Sequence, residues 1–232
     1  MSALELVCPA GTPAALRTAV DAGADAVYVG FNDETNARNF PGLNFNRKEL
    51  AKSIAYAHEH GAKVLVAVNS FARAGDVGPW HRAIDDAAAM DADAVIVADI
   101  GVAAYCSERH PETRLHLSVQ ASASSPEAIQ YYVDAFGVKR VVLPRVLNVN
   151  EIAALNAEIT CETEVFVFGG LCVMAEGRCA LSSYITGLSP NMNGVCSPAS
   201  HVSYDEDGDN MVSKLGGYTI NRFAGDETAG YP

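Results

Sequence analysis

Short apolar runs recur seven times along this chain, and alanine-rich segments of helical length separate them. The runs are Leu4 to Ala10, Asp25 to Gly30, Lys63 to Asn69, Asp93 to Asp99, Arg114 to Gln120, Arg140 to Val146 and Glu164 to Gly169. They are near-continuous Val, Ile and Leu rather than strictly alternating, as in strands covered on both faces. The intervening segments, near 46–60, 78–90, 101–110, 125–135 and 148–158, carry the apolar spacing of amphipathic helices. A further helix opens with Thr12 as N-cap and Pro13 in the first turn and runs to about Gly23. Strand–helix alternation of this kind makes the strands parallel, which leaves a doubly wound sheet or a barrel.

The first strand decides between them. A dinucleotide-binding sheet places GxGxxG after it, whereas this chain has Cys8-Pro9-Ala10-Gly11-Thr12-Pro13, and it has no Walker A motif. The expected fold is therefore α/β, a TIM-like β/α barrel. The 232 residues form one domain: seven βα units over 1–170, a cysteine-rich loop over 171–200 and a hairpin extension over 201–232. Seven units leave a barrel one short of eight, so the sequence predicts an incomplete barrel whose C-terminal part is missing. The stretch HVSYDEDGDNMVSKL reads as two short strands around an acidic turn. Its Asp205, Asp207 and Asp209 do not make a calcium loop, because Gly208 is misplaced and Gly216 stands where a bidentate Glu is required.

Charge and composition narrow the function. Twenty-eight acidic against sixteen basic residues give a net charge of −12, which disfavours DNA and is awkward for RNA. No basic leader and no run of about 18 apolar residues is present, so the expectation is an unexported, cytoplasmic protein that is not integral to a membrane. Six cysteines in such a chain point to buried thiols, redox chemistry or metal ligation rather than a disulfide scaffold.

Three of those thiols carry the chemistry. After the seventh strand comes GGLCVMAEGRCALSSYITGLSPNMNGVCSPA, which places Cys172, Cys179 and Cys196 at the end of a barrel where active sites are built. Thiolates ligate soft iron, and the loop glycines allow the backbone to turn closely around a cluster. Buried apolar thiols are the plainer alternative, and zinc is another, although zinc knuckles show CxxC spacing that is absent here. Cys8, Cys106 and Cys161 read as structural. The strand ends add Asn69, Asp99, Gln120 and Arg145 as mouth residues, with Glu176 and Arg178 in the cysteine loop. Arg145 or Arg178 could hold a substrate carboxylate or could pair with Glu164, Glu176 or Asp99 as structure. No HExxH or GxSxG motif is present.

The residues Glu164, Phe166, Gly169, Leu171, Cys172, Gly177, Cys179 and Ser182 look like the signature of the collagenase-like peptidase U32 family, with Gly170 where the family usually carries Ser or Ala. Longer blocks, among them CPAGTPAALRTAVDAGADAVYVG, DETNARNFPGLNF and EGRCALSSYITGLSPNMNGVCSPA, resemble the branch that acts in oxygen-independent ubiquinone biosynthesis. That resemblance implies a 4Fe–4S cluster on Cys172, Cys179 and Cys196, with a fourth cysteine beyond Pro232. It also implies a heterodimer with a homologous UbiV-like subunit and hydroxylation of a prenylated aromatic quinone precursor. Prephenate is the expected oxygen donor by extension from tRNA-hydroxylating relatives. A peptidase, a tRNA-hydroxylating relative and a noncatalytic scaffold are the alternatives.

Overall fold

The computed structural model describes residues 4–169, 176–177, 179, 183–184, 187–189 and 191, and the backbone of three strands after 201. Its first part alternates β1 (Val7–Pro9), α1 (Pro13–Asp21), β2 (Ala26–Gly30), α2 (Arg47–Glu59), β3 (Lys63–Val68), α3 (Gly78–Ala89), β4 (Ala94–Val97) and α4 (Ile100–Arg109). It continues with β5 (Leu115–Leu117), α5 (Pro126–Phe136), β6 (Arg140–Val142), α6 (Val149–Glu158) and β7 (Glu162–Glu164). The seven strands form one parallel sheet in sequence order, β1 to β7, as the repeated βα pattern predicts.

Local signals in the sequence set the helix starts. Thr12 Oγ1 accepts from the Ala15 amide ahead of Pro13, while Asn46 and Asn148 each close a reciprocal capping box with Glu49 and Glu151. Helix α5 stops at Gly137, whose φ of +70° is a left-handed cap that a side chain would disfavour.

Alternation along the strands divides the interior in two. The outward-facing Val27, Val29, Val64, Val66, Val95, Val97, Leu117 and Val141 pack under the helices with Leu16, Leu50, Ile54, Trp80, Ile84 and Ile129. Trp80 is fully buried and its indole N–H donates to Ser70 Oγ at 3.0 Å, so its burial leaves no orphaned donor. The inward-facing Ala26, Leu65, Ala67, Ala94 and Ile96 form a second, smaller cluster with Val7 and Tyr28. On β5 to β7 the inward positions turn polar, with His116, Arg140, Glu162 and Glu164 in neighbouring register.

The sheet curls but is open between β1 and β7 among the described residues. One boundary differs from the sequence reading. The seventh strand is Glu162–Glu164, and the apolar run expected to form it, 165–168, continues without a strand partner; Val167 is 83% and Phe168 100% exposed. Hydrophobicity alone does not make a strand where no neighbouring ladder exists to pair with. The expected hairpin forms as antiparallel β8 (Val202–Asp207) and β9 (Asn210–Leu215), and a third strand, β10 (Tyr218–Ala224), pairs with β9. No described helix is long and apolar enough to cross a membrane.

Candidate functional site at the barrel mouth

Two loops converge on the C-terminal ends of the strands. The first follows β2. Asn36, buried, donates to Phe31 O at 3.3 Å and to Asn44 Oδ1 at 3.0 Å, and its own Oδ1 accepts from the Arg38 amide. Asn44 returns a bond to Arg38 O. Asn69, at the end of β3, accepts from the Ala37 amide at 3.0 Å and reaches Ser118 beyond β5 at 3.4 Å. Asn69 thus ties this loop to the strand ends. Gly30 makes room for it, since a Cβ there would lie 2.2 Å from Asn36 Nδ2.

Beneath this loop lies a cavity of about 310 Å³, within the size range of small-molecule sites. Its walls are mainly apolar: Leu43, Phe40, Ile96, Val142 and Phe166. Its polar groups include Tyr28, Arg38, Asn69, Ser118 and Glu164, beside Asn36 and Asn44 of the loop. Tyr28 bonds Arg38, and burial, more than the neighbouring charges, raises its hydroxyl above the usual phenol range. Burial likewise pushes the Glu164 carboxyl above its ordinary range, against the pull of Arg140 at 3.4 Å.

The second loop carries the cysteines. Glu176 is buried and its Oε1 accepts from both the Arg145 amide at 3.0 Å and Arg145 Nε at 3.1 Å. The Glu176 carbonyl accepts from Ser122 Oγ at 2.7 Å, and the Gly177 amide donates to Gln120 Oε1 at 2.9 Å. Farther along, Asn191 O accepts from the Phe71 amide. The described parts of the loop are therefore bonded to segments that follow β3, β5 and β6. Cys179, two residues past this clamp, is half-buried, and its carbonyl accepts from Ser183 Oγ at 3.0 Å.

Of the residues singled out from the sequence, Asn69, Gln120, Arg145 and Glu176 come together at the mouth. Arg145 takes Glu176 as its partner, the structural one of the two roles open to it. Asp99 caps α4, accepting from the Gly101 and Val102 amides, and also binds the Ala72 amide. Cys106 is buried in α4, where desolvation pushes its thiol up to about 11, and Cys8 and Cys161 are half-buried. Cys172, Cys196 and Arg178 lie outside the described residues. Tyr28, Arg38 and Glu164 were not read as cavity groups. The inward parity of Tyr28 beside Pro9 and Leu65 was the available signal.

Among the described residues no cluster of three His, Cys, Asp or Glu side chains is gathered for a metal. The donor chemistry of the loop nonetheless fits an iron–sulfur cluster. Its candidate ligands are thiols alone, and Cys179 follows a clamp fixed at the mouth.

Comparison with known proteins gives this arrangement its family. The family model of peptidase family U32 matches residues 11–226. This chain belongs to peptidase family U32. Its relatives include an uncharacterized protease of Methanocaldococcus jannaschii, 36% identical over 203 residues, covering 85% of this chain and 48% of the relative. Bacillus subtilis tRNA hydroxylation protein P1 is 33% identical over 217 residues, covering 91% of this chain and 50% of its own length. The 23S rRNA 5-hydroxycytidine C2501 synthase of Escherichia coli is 35% identical over 204 residues, covering 87% and 30%. The chain thus spans half or less of the length of these curated relatives. The solved structure of a U32 peptidase, 20% identical, superposes with a TM-score of 0.60 over 71% of this chain and 69% of that one, which shows the shared fold.

Proposed function

We propose that this U32 chain is the iron–sulfur subunit of an oxygen-independent hydroxylase, of the UbiU type in ubiquinone biosynthesis. In this reading it acts with a UbiV-like homologous subunit on the aromatic ring of a prenylated quinone precursor. The observation that carries the reading is the clamp of Glu176 and Gly177 on Arg145 and Gln120, which fixes a part of the cysteine loop two residues before Cys179, with Arg145 also over the ring of Phe166 in the cavity wall. Relatives named for tRNA and rRNA hydroxylation support the reaction class. The apolar walls and the net charge of −12 favour a small apolar aromatic over a polyanion.

In this reading Cys172, Cys179 and Cys196 hold a 4Fe–4S cluster, leaving one iron for a further ligand. The cluster, when bound, supplies one-electron transfer. The chain's own contribution is to seat the loop, exclude water from the cavity and orient the ring against its polar groups. Prephenate remains the proposed oxygen donor, and the cytoplasm the proposed compartment. RNA hydroxylation is the second reading, favoured by the names of the relatives.

The test is anaerobic purification with the UbiV-like partner, followed by iron and sulfide analysis, EPR and product analysis with a prenylated phenol or tRNA. A cluster lost in Cys179→Ala and a hydroxylated prenylated ring are expected. Zinc or no metal would overturn the cluster, and a hydroxylated tRNA alone would move the assignment to the second reading.

A further inference from the structure

Glu164, a charged group of the mouth cavity, has no part in the cysteine-loop clamp. It sits at the end of β7, its side chain is 18% exposed, and it lines the cavity with Val142 and Phe166. Its Oε2 receives Arg140 Nη1 at 3.4 Å, and no described residue donates to its Oε1. The charged groups around it are Arg140 on β6 and Glu5 ahead of β1, and Tyr28 on β2 feels its charge. Arg140 is shared with Glu5 at 2.5 Å and Glu162 at 2.7 Å, so its hold on Glu164 is the weakest of three.

Most of the other polar groups of the cavity have a partner of their own. Asn69 bonds Ala37 and Ser118, Ser118 accepts from Gln120, and Arg38 bonds Tyr28. The second carboxyl oxygen of Glu164 is open to a ligand, and a carboxylate oxygen accepts a hydrogen bond while repelling an anion. A ligand that fits must offer a donor at one end and an apolar body to Leu43, Ile96, Val142 and Phe166.

We infer that the cavity binds a neutral, hydroxyl-bearing aromatic ring, with the ring hydroxyl donating to Glu164. An ionised carboxylate beside the ring hydroxyl disfavours a second negative charge there, so the bound ring keeps its proton. The identity of the ring as the hydroxylase substrate rests on the function proposed above; the binding site does not need it.

The probe is 4-nitrophenol, whose neutral and ionised forms absorb at different wavelengths, titrated into the protein across the pH range of its ionisation. The bound probe is expected to stay neutral to higher pH than the free probe. Glu164→Gln should abolish that shift and Glu164→Leu should weaken binding about tenfold, while Arg38→Met should widen the shift, because removing a cation from the cavity disfavours the phenolate further. Bound phenolate that depends on Arg38 would overturn the proposal and make the cavity an anion site. No saturable binding, or binding indifferent to Glu164, would overturn it as well. None of these readouts uses the cluster or the hydroxylation assay, so either reading can fail without the other.

Discussion

Arg140 on β6 lies 2.5 Å from the carboxylate of Glu5, which precedes β1, so one ion pair spans the interior of the open sheet from its penultimate strand to the segment ahead of its first. The same guanidinium meets Glu162 and Glu164, and Glu5 also receives Lys63 at 2.7 Å. Charges stand here where a barrel usually packs Val and Leu.

Removing Arg140 therefore strands carboxylates rather than deleting one bond. The Arg140 side chain is 12% exposed, and truncating one partner of a buried pair costs far more than the pair contributes net. Arg140→Met is expected to destabilise the protein by about 3 kcal/mol, at the low end for buried pairs because Glu162 is half exposed. Urea unfolding at neutral pH measures it. A loss under about 1 kcal/mol would mean that the network behaves as a surface one.

His116 is the neighbour of Arg140 on β5, 1% exposed, and Arg114 Nε donates to its Nε2 at 3.0 Å. The ring proton is thus on Nδ1. Burial first, and then the charges of Arg140 and Arg114, push its pKa from 6.5 down to about 3. The unfolded chain takes up a proton below 6.5 that the folded chain refuses, so stability falls as pH drops from 6.5 toward 3. Between pH 6.5 and 5 the loss from this group is about 1–2 kcal/mol. His116→Leu should flatten the urea-derived stability profile by that amount; an unchanged slope would show that His116 titrates normally in the fold.

Much of this architecture was legible in the chain. The parallel strands, five central helices and the hairpin follow from runs, caps and turn residues that act locally, such as Thr12-Pro13 and Asn148 with Glu151. The placement of Asn69, Gln120 and Arg145 at the mouth was legible because strand ends in a barrel converge, and that of Glu176 because the cysteine loop follows the last of those strands. Glu164 and Tyr28 were missed as cavity groups because their role depends on which strand face turns inward when the sheet curls. The same dependence hid the interior charges: Arg140 reads as a strand-opening basic residue until the curl of the sheet brings Glu5, ahead of β1, to it. The end of β7 was misplaced because pairing, unlike hydrophobicity, is a property of two segments.

Gly30 tests the loop over the cavity. A methyl at this position would meet Asn36 Nδ2 at 2.2 Å, and Asn36 is not free to swing, since it holds Phe31, Arg38 and Asn44. Gly30→Ala should cost about 1–3 kcal/mol, the range for breaking a buried hydrogen-bond network, and should weaken 4-nitrophenol binding. Thermal unfolding and the probe titration report the two effects. Wild-type values for both would mean that the loop relaxes around the methyl.

Gly177 tests the clamp that seats the cysteine loop. Its φ is +69°, and a Cβ would lie 2.3 Å from the backbone oxygen of Gln120, a clash that a rotating side chain cannot relieve. Gly177→Ala must therefore lift the loop from the segment that follows β5, breaking the Gly177–Gln120 bond and weakening the hold of Arg145 on Glu176. Losing about 1–3 kcal/mol of local stability raises the population of the lifted loop by about 5- to 150-fold. Mass-resolved alkylation of Cys179 reads that population directly, and its rate should rise by at least about tenfold in Gly177→Ala. Glu176→Gln should raise it less, because the amide oxygen still accepts from the Arg145 amide and Nε while the charge is lost. The order of the two variants separates steric seating from charge pairing: if Glu176→Gln exceeds Gly177→Ala, the ion pair with Arg145 and not the glycine contact holds the loop down.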